Sequence, residues 1–321
     1  MPRIRLLLMA LPFLVLSEIP RPAAAGASAC SISATGLAYG TSVNVLPGTA
    51  VTTSGSITAS CSAYFGSKNV YMCIVLSLGT YSSGGTRQMA SGANVINAEL
   101  YSDAGLTTIW PSSIASITTA PLTFLNLSAT AQTVNVYGAI LAAQQSATPG
   151  AYTTTITATP YYVDGTTSTA CSTMTTTFAT TTFNVTGTII STCNAATAGN
   201  LSFPQSSILS SNVDATSSLS VVCTKGTPYN IRLDNGLTGT GPTQRKMSFS
   251  GSSVTYGLYT NNARTSAWGS TDGTNTNGGT GTAAAQNYTV YGRVPPQVTP
   301  RPGTYSDTRS EEHTSELQSR G

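Results

Sequence analysis

Tyr152-Thr-Thr-Thr-Ile-Thr-Ala-Thr159 puts threonine at 153, 155, 157 and 159, and sets Tyr152, Thr154, Ile156 and Ala158 on the opposite face. Side chains of an extended strand point alternately to its two faces, so this period of two predicts a half-buried β-strand. Further along, Phe183, Val185 and Ile189 alternate with Asn184, Thr186 and Thr188 in the same way. Abundant Thr, Ser, Val, Tyr and Gly, with only 8% charged residues, favours short strands and turns over helices. Strands with one apolar face bury it by packing two sheets together, so the expected fold is an all-β sandwich.

The chain then repeats itself. Cys30 to Cys61 spans 31 positions and Cys193 to Cys223 spans 30, and each second cysteine ends an alternating strand, Ile57-Thr-Ala-Ser-Cys61 and Leu219-Ser-Val-Val-Cys223. Cys73-Ile-Val-Leu76 aligns with Asn230-Ile-Arg-Leu233, and Arg87-Gln-Met89 with Arg245-Lys-Met247. Leu100-Tyr101 and Leu258-Tyr259 follow, each with one of the two tryptophans, Trp110 and Trp268, nine residues beyond its tyrosine. Val136-Tyr-Gly138 matches Val290-Tyr-Gly292, and Pro149-Gly-Ala-Tyr152 matches Pro302-Gly-Thr-Tyr305. A period above 150 residues means tandem domains rather than a solenoid. The expected domains are residues 26–180 and 181–308. Repeat symmetry predicts disulfides Cys30–Cys61 and Cys193–Cys223, which leaves Cys73 and Cys171 to pair inside the first domain.

Both ends are read apart from the fold. Arg3 and Arg5, the apolar run Leu6 to Leu16, and Pro22-Ala-Ala-Ala25 have the order of an export signal cleaved near Ala25–Gly26, residues 1–25. The product is expected to cross the periplasm to the cell surface or to be secreted, in an oxidising compartment where disulfides persist. Arg309 to Gly321 holds three of the five glutamates and the only histidine, and reads as a translated sequencing-adapter oligonucleotide. The native end of the second domain is therefore expected to be missing beyond Thr308.

Between those ends lie nine Lys/Arg and seven acids, a formal charge of +2. That is too dilute for an electrostatic nucleic-acid footprint. With no histidine in the span, neither a Ser-His-Asp nor a Cys-His site can be built, and imidazole metal ligation is excluded. No carboxylate pair close in sequence points to a glycosidase. The glycines from Gly269 to Gly281 read as a loop rather than a phosphate cradle. Neither catalysis nor a cofactor or metal is expected.

Taken in order, the early cysteine, the second cysteine, Arg-x-Met, Leu-Tyr followed by Trp, Val-Tyr-Gly, and Gly303-Thr-Tyr305-Ser-Asp307 resemble the spore coat protein U domain family. The first domain departs from it in having threonine at 154 after Gly150-Ala-Tyr152, and an extra cysteine pair. The resemblance extends to subunits of archaic chaperone–usher pili. It implies two tandem immunoglobulin-like, pilin-type sandwiches, the second lacking its final strand. The partners it implies are a periplasmic chaperone, an outer-membrane usher, a neighbouring pilin subunit that supplies a strand, and a biotic or abiotic surface.

Only Gly26 to Ala29 separate the expected cleavage site from Cys30, too few to fill a neighbour's groove. A chain that accepts a strand but cannot donate one belongs at a fibre tip, as an adhesin. The alternating Ser172-Thr-Met-Thr-Thr-Thr-Phe178, with apolar Met174 and Phe178, is the candidate strand that completes the first domain in cis. Its apolar residues fall on even numbers and those of Phe183 to Ile189 on odd ones, which places a hinge near Ala179 to Thr182. For surface binding the candidates are Trp110, Phe124 and Leu125, around the apolar stretch Pro121-Leu-Thr-Phe-Leu-Asn-Leu127; a core strand is the competing reading. The alternatives in function are a non-fimbrial or spore-coat-like structural protein and a carbohydrate-binding surface module, between which a sandwich fold does not decide.

Overall fold

The computed structural model describes residues 30–61, 69–125, 130–165, 168–308 and the backbone of 311–315. The expected export signal, Gly26 to Ala29, Asn126 and Leu127, and the rest of the terminal tail lie outside those residues.

The first half comprises β1 (Cys30–Ala34), β2 (Leu37–Ala38), β3 (Val51–Cys61), β4 (Asn69–Leu76), β5 (Tyr81–Ser83), β6 (Thr86–Ser91), β7 (Asn94–Tyr101), β8 (Leu122–Phe124), β9 (Thr130–Ile140), β10 (Gly150–Gly165), β11 (Thr176–Thr177) and β12 (Thr181–Ile189). One layer runs β1-β3-β9-β7, all antiparallel. The other is organised on β10, the alternating strand of the sequence. Its first part, Gly150 to Ala158, pairs with β12, and its second part, Ala158 to Gly165, pairs with β4. Ile57, Met72, Leu76, Met89, Ile96, Val136, Ile140, Tyr152 and Ile156 close the space between the layers.

The second half comprises β13 (Cys193–Ala198), β14 (Val213–Cys223), β15 (Pro228–Leu233), β16 (Arg245–Phe249), β17 (Ser252–Tyr259), β18 (Asn277–Thr280), β19 (Gln286–Val294) and β20 (Glu311–Ser315). The layer β13-β14-β19-β17-β16 repeats β1-β3-β9-β7-β6, and β18-β15-β20 forms the second sheet. The molecule is thus all-β, with its sheets curled into two sandwich-like halves, as the alternation and the repeat imply.

The repeated motifs do the same structural work in each half. The Arg87 guanidinium is buried and donates to the carbonyls of Leu76, Ser77 and Trp110; that of Arg245 donates to the carbonyls of Leu233, Asp234 and Trp268. Each tryptophan in turn donates its indole N–H across the core, Trp110 to Ile74 at 2.9 Å and Trp268 to Ile231 at 3.0 Å. An arginine presents five donors in a fixed fork, so one side chain ties together a strand end and the tryptophan loop. The spacing Arg-x-Met, Leu-Tyr, Trp therefore marks a core clamp. Glycine in Val-Tyr-Gly is required by close approach. A Cβ on Gly138 would lie 2.9 Å from Leu37 Cδ2, and one on Gly292 would lie 2.5 Å from Leu201 Cδ2.

The disulfides are Cys30–Cys61, Cys73–Cys171 and Cys193–Cys223. The first and third join residues directly opposite each other on paired strands. The second joins β4 to the connector after β10, among Tyr71, Val75, Ile117 and Met174.

Candidate functional site

In the first half, β12 lies in the back layer between β10 and β2, antiparallel to the former and parallel to the latter. Phe183, Val185 and Ile189 turn inward and are buried in the first core. This corrects two expectations. Thr181 to Ile189, assigned to the second domain, packs in the first. Met174 and Phe178, expected to complete that sandwich, do not occupy the slot. Met174 is buried beside the Cys73–Cys171 disulfide, and Phe178 packs on Tyr162 with ring centroids 5.8 Å apart. Only Thr176–Thr177 of that segment pairs with β10, at Tyr161 and Tyr162. The reason is local: β4 takes one edge of β10 along Ala158–Gly165, and the opposite edge carries first Thr176–Thr177 and then Thr181–Ile189, so it is the odd-phase strand that runs along Gly150–Ala158.

The same slot is open in the second half. Leu201 and Phe203 correspond to Leu37 and Tyr39, since each pair stands over the glycine of Val-Tyr-Gly. A bulge between Asn194 and Thr197 absorbs the extra residue before Leu201. Tyr305 corresponds to Tyr152, and both donate their hydroxyl to the carbonyl four residues back, Tyr152 to Thr148 at 2.9 Å and Tyr305 to Arg301 at 2.8 Å. Between these edges lies a groove of about 580 Å³, lined among others by Leu201, Phe203, Met247, Tyr256, Tyr305 and Asp307. Among the described residues no strand is paired between 199–203 and 305–308.

The exposures measure what is missing. Leu37, Met89 and Tyr152 are 1%, 0% and 1% exposed, whereas their counterparts Leu201, Met247 and Tyr305 are all part-exposed. The floor is fixed by Tyr256, which donates its hydroxyl to Asp307 Oδ2 at 2.8 Å, while Asp307 Oδ1 accepts the Leu237 N–H at 3.0 Å. That is the role of the aspartate in Gly-x-Tyr-x-Asp. Beyond the groove, β20 pairs with β15, Glu311 opposite Leu233. The first half has the same register, Ala158 opposite Leu76.

The expected surface residues separate. Trp110 and Phe124 are core, 8% and 2% exposed, the one clamped by Arg87 and the other paired to Val70 on β8. Their assignment to surface binding is corrected: Phe124 turns inward opposite Val70 of β4, and Trp110 is held inward by its backbone N–H on the Leu100 carbonyl and its indole N–H on that of Ile74. Leu125, the next residue, is 67% exposed. The groove residues Leu201, Phe203, Met247, Tyr256 and Tyr305 were not anticipated. Their signal was the second copy of Leu-x-aromatic, Leu37-Ala-Tyr39 and Leu201-Ser-Phe203, which cysteine counting alone puts one position out of step.

No curated protein matches the chain. Among solved structures, it is similar to a chain of the CsuC–CsuE chaperone–tip adhesion subunit pre-assembly complex from the archaic chaperone-usher Csu pili of Acinetobacter baumannii. That match has 18% identity and a TM-score of 0.51, and covers 89% of this chain and 99% of that one. Similarity to the CupB6 tip adhesin of Pseudomonas aeruginosa is lower, with 10% identity and a TM-score of 0.40, over 91% of this chain and 96% of that one. The profile of the Spore Coat Protein U domain matches residues 21–159 and again 179–310, both copies of the repeat, and the chain belongs to that family.

Proposed function

We propose that this chain is a non-enzymatic subunit of a chaperone–usher surface fibre, and that its second domain is joined to the next subunit by a β-strand which that neighbour supplies. One observation carries the reading. The slot that Thr181 to Ile189 fills in the first half is open in the second, where Leu201, Phe203, Met247 and Tyr305 line it together with polar groups such as Ser202, Ser306 and Asp307. An open slot leaves backbone N–H and C=O groups without ladder partners and apolar side chains in water, and an added strand satisfies both. The likeness to a chain of a chaperone–tip adhesion subunit complex supports the same reading. A periplasmic chaperone would cover the groove first, and an outer-membrane usher would then exchange it for a neighbouring subunit.

The position that fits is the tip, with the first domain outermost, facing a biotic or abiotic surface. The first domain is completed by a strand of its own chain, whereas the second is not. Immunogold microscopy of the source cells with an antibody to the first domain tests this. Label confined to the distal ends of thin fibres is the expected outcome. Label along fibre shafts would replace the tip by a shaft position, and label over the envelope without fibres would overturn the fibre reading.

A further inference from the structure

The two slots differ in their floors, and the difference bears on which strand the open one accepts. In the first half β12 presents Phe183, Val185, Gly187 and Ile189 inward, opposite Ile156, Thr154, Tyr152 and Gly150 of β10. Gly187 faces an aromatic ring: a Cβ there would lie 3.1 Å from Tyr39 Cβ and 3.5 Å from Tyr39 Cδ2. In the second half Phe203 stands where Tyr39 stands, so the position opposite Tyr305 meets the same obstruction.

Next to it the halves diverge. Ala98 of β7 corresponds to Tyr256 of β17. The tyrosine runs through the interior to Asp307, the counterpart of Thr154, and packs edge-on against Phe203 with ring centroids 6.0 Å apart. Its ring thus takes up interior space beside the position that corresponds to Val185. Cores are packed closely enough that a change of a few carbon atoms is felt, and a floor raised from alanine to tyrosine leaves correspondingly less depth.

We infer that the groove of the second domain selects its strand by size at two adjacent inward positions: glycine opposite Tyr305, set by Phe203, and a residue smaller than valine opposite Asp307, set by Tyr256. This rests on the strand-accepting reading above. The occupant is a strand of a neighbouring subunit with the inward pattern apolar, small, glycine, apolar. The chain's own Thr181–Ile190 sequence, which carries valine at the small position, is a poor occupant of its own second groove. Copies of this chain would then be disfavoured as each other's donors.

The test is fluorescence-anisotropy titration of the full-length chain with labelled ten-residue peptides that copy Thr181 to Ile190. The Val185→Ala peptide is expected to bind at least fivefold more tightly than the unaltered copy, and a peptide combining Val185→Ala with Gly187→Leu at least tenfold more weakly than the Val185→Ala peptide. In Tyr256→Ala protein the preference for alanine over valine should disappear. In Phe203→Ala protein the peptide with Val185→Ala and Gly187→Ala should bind as well as the one that keeps Gly187. The second variant decides the matter if circular dichroism shows that Tyr256→Ala has lost its fold. Equal binding of all peptides to the unaltered protein would overturn the size selection and leave the groove reading standing. So would a size preference that survives in both protein variants. Failure of every peptide to bind would remove the groove reading itself, and the selection with it.

Discussion

The two halves of this molecule are copies of one design, and the difference between them with the widest consequence is at one slot. In the first, a strand from the same chain closes the back layer, and Leu37, Met89 and Tyr152 are sealed. In the second, the corresponding Leu201, Met247 and Tyr305 remain part-exposed around a groove of about 580 Å³. The motifs that hold each sandwich together are held in common: the arginine clamp, the tryptophan bond across the core, the tyrosine bonded four residues back. The contrast separates the parts of the design that hold a sandwich together from the single strand that closes it.

The comparison breaks most directly at β12. Phe183→Ala removes a buried ring from the first core and is expected to destabilise that half by about 3–5 kcal/mol. The second half should be left where it was. Hydrogen exchange followed peptide by peptide checks this, with faster exchange expected in β10 and β2 and unchanged exchange in β14 and β19. If both halves loosened together, they would form one cooperative unit and the slot would not be a separable feature.

The arginine clamp sharpens it next. Arg87 also contacts Glu99, 3% exposed, whereas the corresponding position of the second half is Gly257. Arg87→Met strands a buried carboxylate as well as three carbonyls, a loss on the order of 3 kcal/mol. Adding Glu99→Gln should return part of it, measurable as a coupling in a double-mutant cycle of denaturant unfolding. Arg245→Met has no acid at 257 whose replacement could relieve it. Additivity of the first pair would show that the ion pair is incidental to the clamp.

The Cys73–Cys171 bridge exists only in the first half and spans 98 residues. Replacing both cysteines by alanine is expected to cost that half about 2–4 kcal/mol, with no effect on the other. The bridge also anchors the connector that leads into β12. Peptide-level exchange in β12 should therefore rise more than in β3, which lies in the opposite layer. Equal increases would mean that the bridge stabilises the half as a whole and does not hold the strand in place.

Much of the fold is legible in the sequence, and each error has its own physical source. Alternation in Tyr152 to Thr159 implied the strand and its buried face, and ordered repeats located the clamps before anything was known of their bonds. The cysteine pairings followed from repeat symmetry. What failed was the assignment of Thr181 to Ile189, because a sequence repeat begins where the similarity begins, at 179 in the family match, while the strand folds into the half that precedes it. Sequence unit and structural unit are offset by one strand. Trp110 and Phe124 misled for another reason. Aromatic rings next to a loop look like a binding surface until the pairing partner, here Ile74 or Val70, turns them inward.

The smallest expected effect concerns a feature the second half has alone. Asp214 of β14 accepts two bonds at 2.8 Å from Arg293, opposite it on β19, and lies 3.3 Å from Arg264. The corresponding pair in the first half is Thr52 and Ala139. The Arg293 hydrogen bonds, outweighing partial burial, hold the Asp214 carboxyl below its ordinary value of 3.8. A carboxyl lowered in the folded state stabilises that state above its unfolded value, and the contribution is lost as the pH falls through the folded value. Asp214 is 35% exposed, so solvent screening keeps the effect below about 1 kcal/mol. Between pH 7 and pH 3 the second half of the unaltered protein should therefore lose slightly more stability than that of Asp214→Asn, and 1 M salt should shrink the gap, because the Debye length there is about 3 Å. Urea unfolding at the two pH values, read by exchange in β14 and β19, measures it. A gap of the opposite sign would mean that desolvation outweighs the arginine bonds, and that the charged pair specifies strand register without stabilising it.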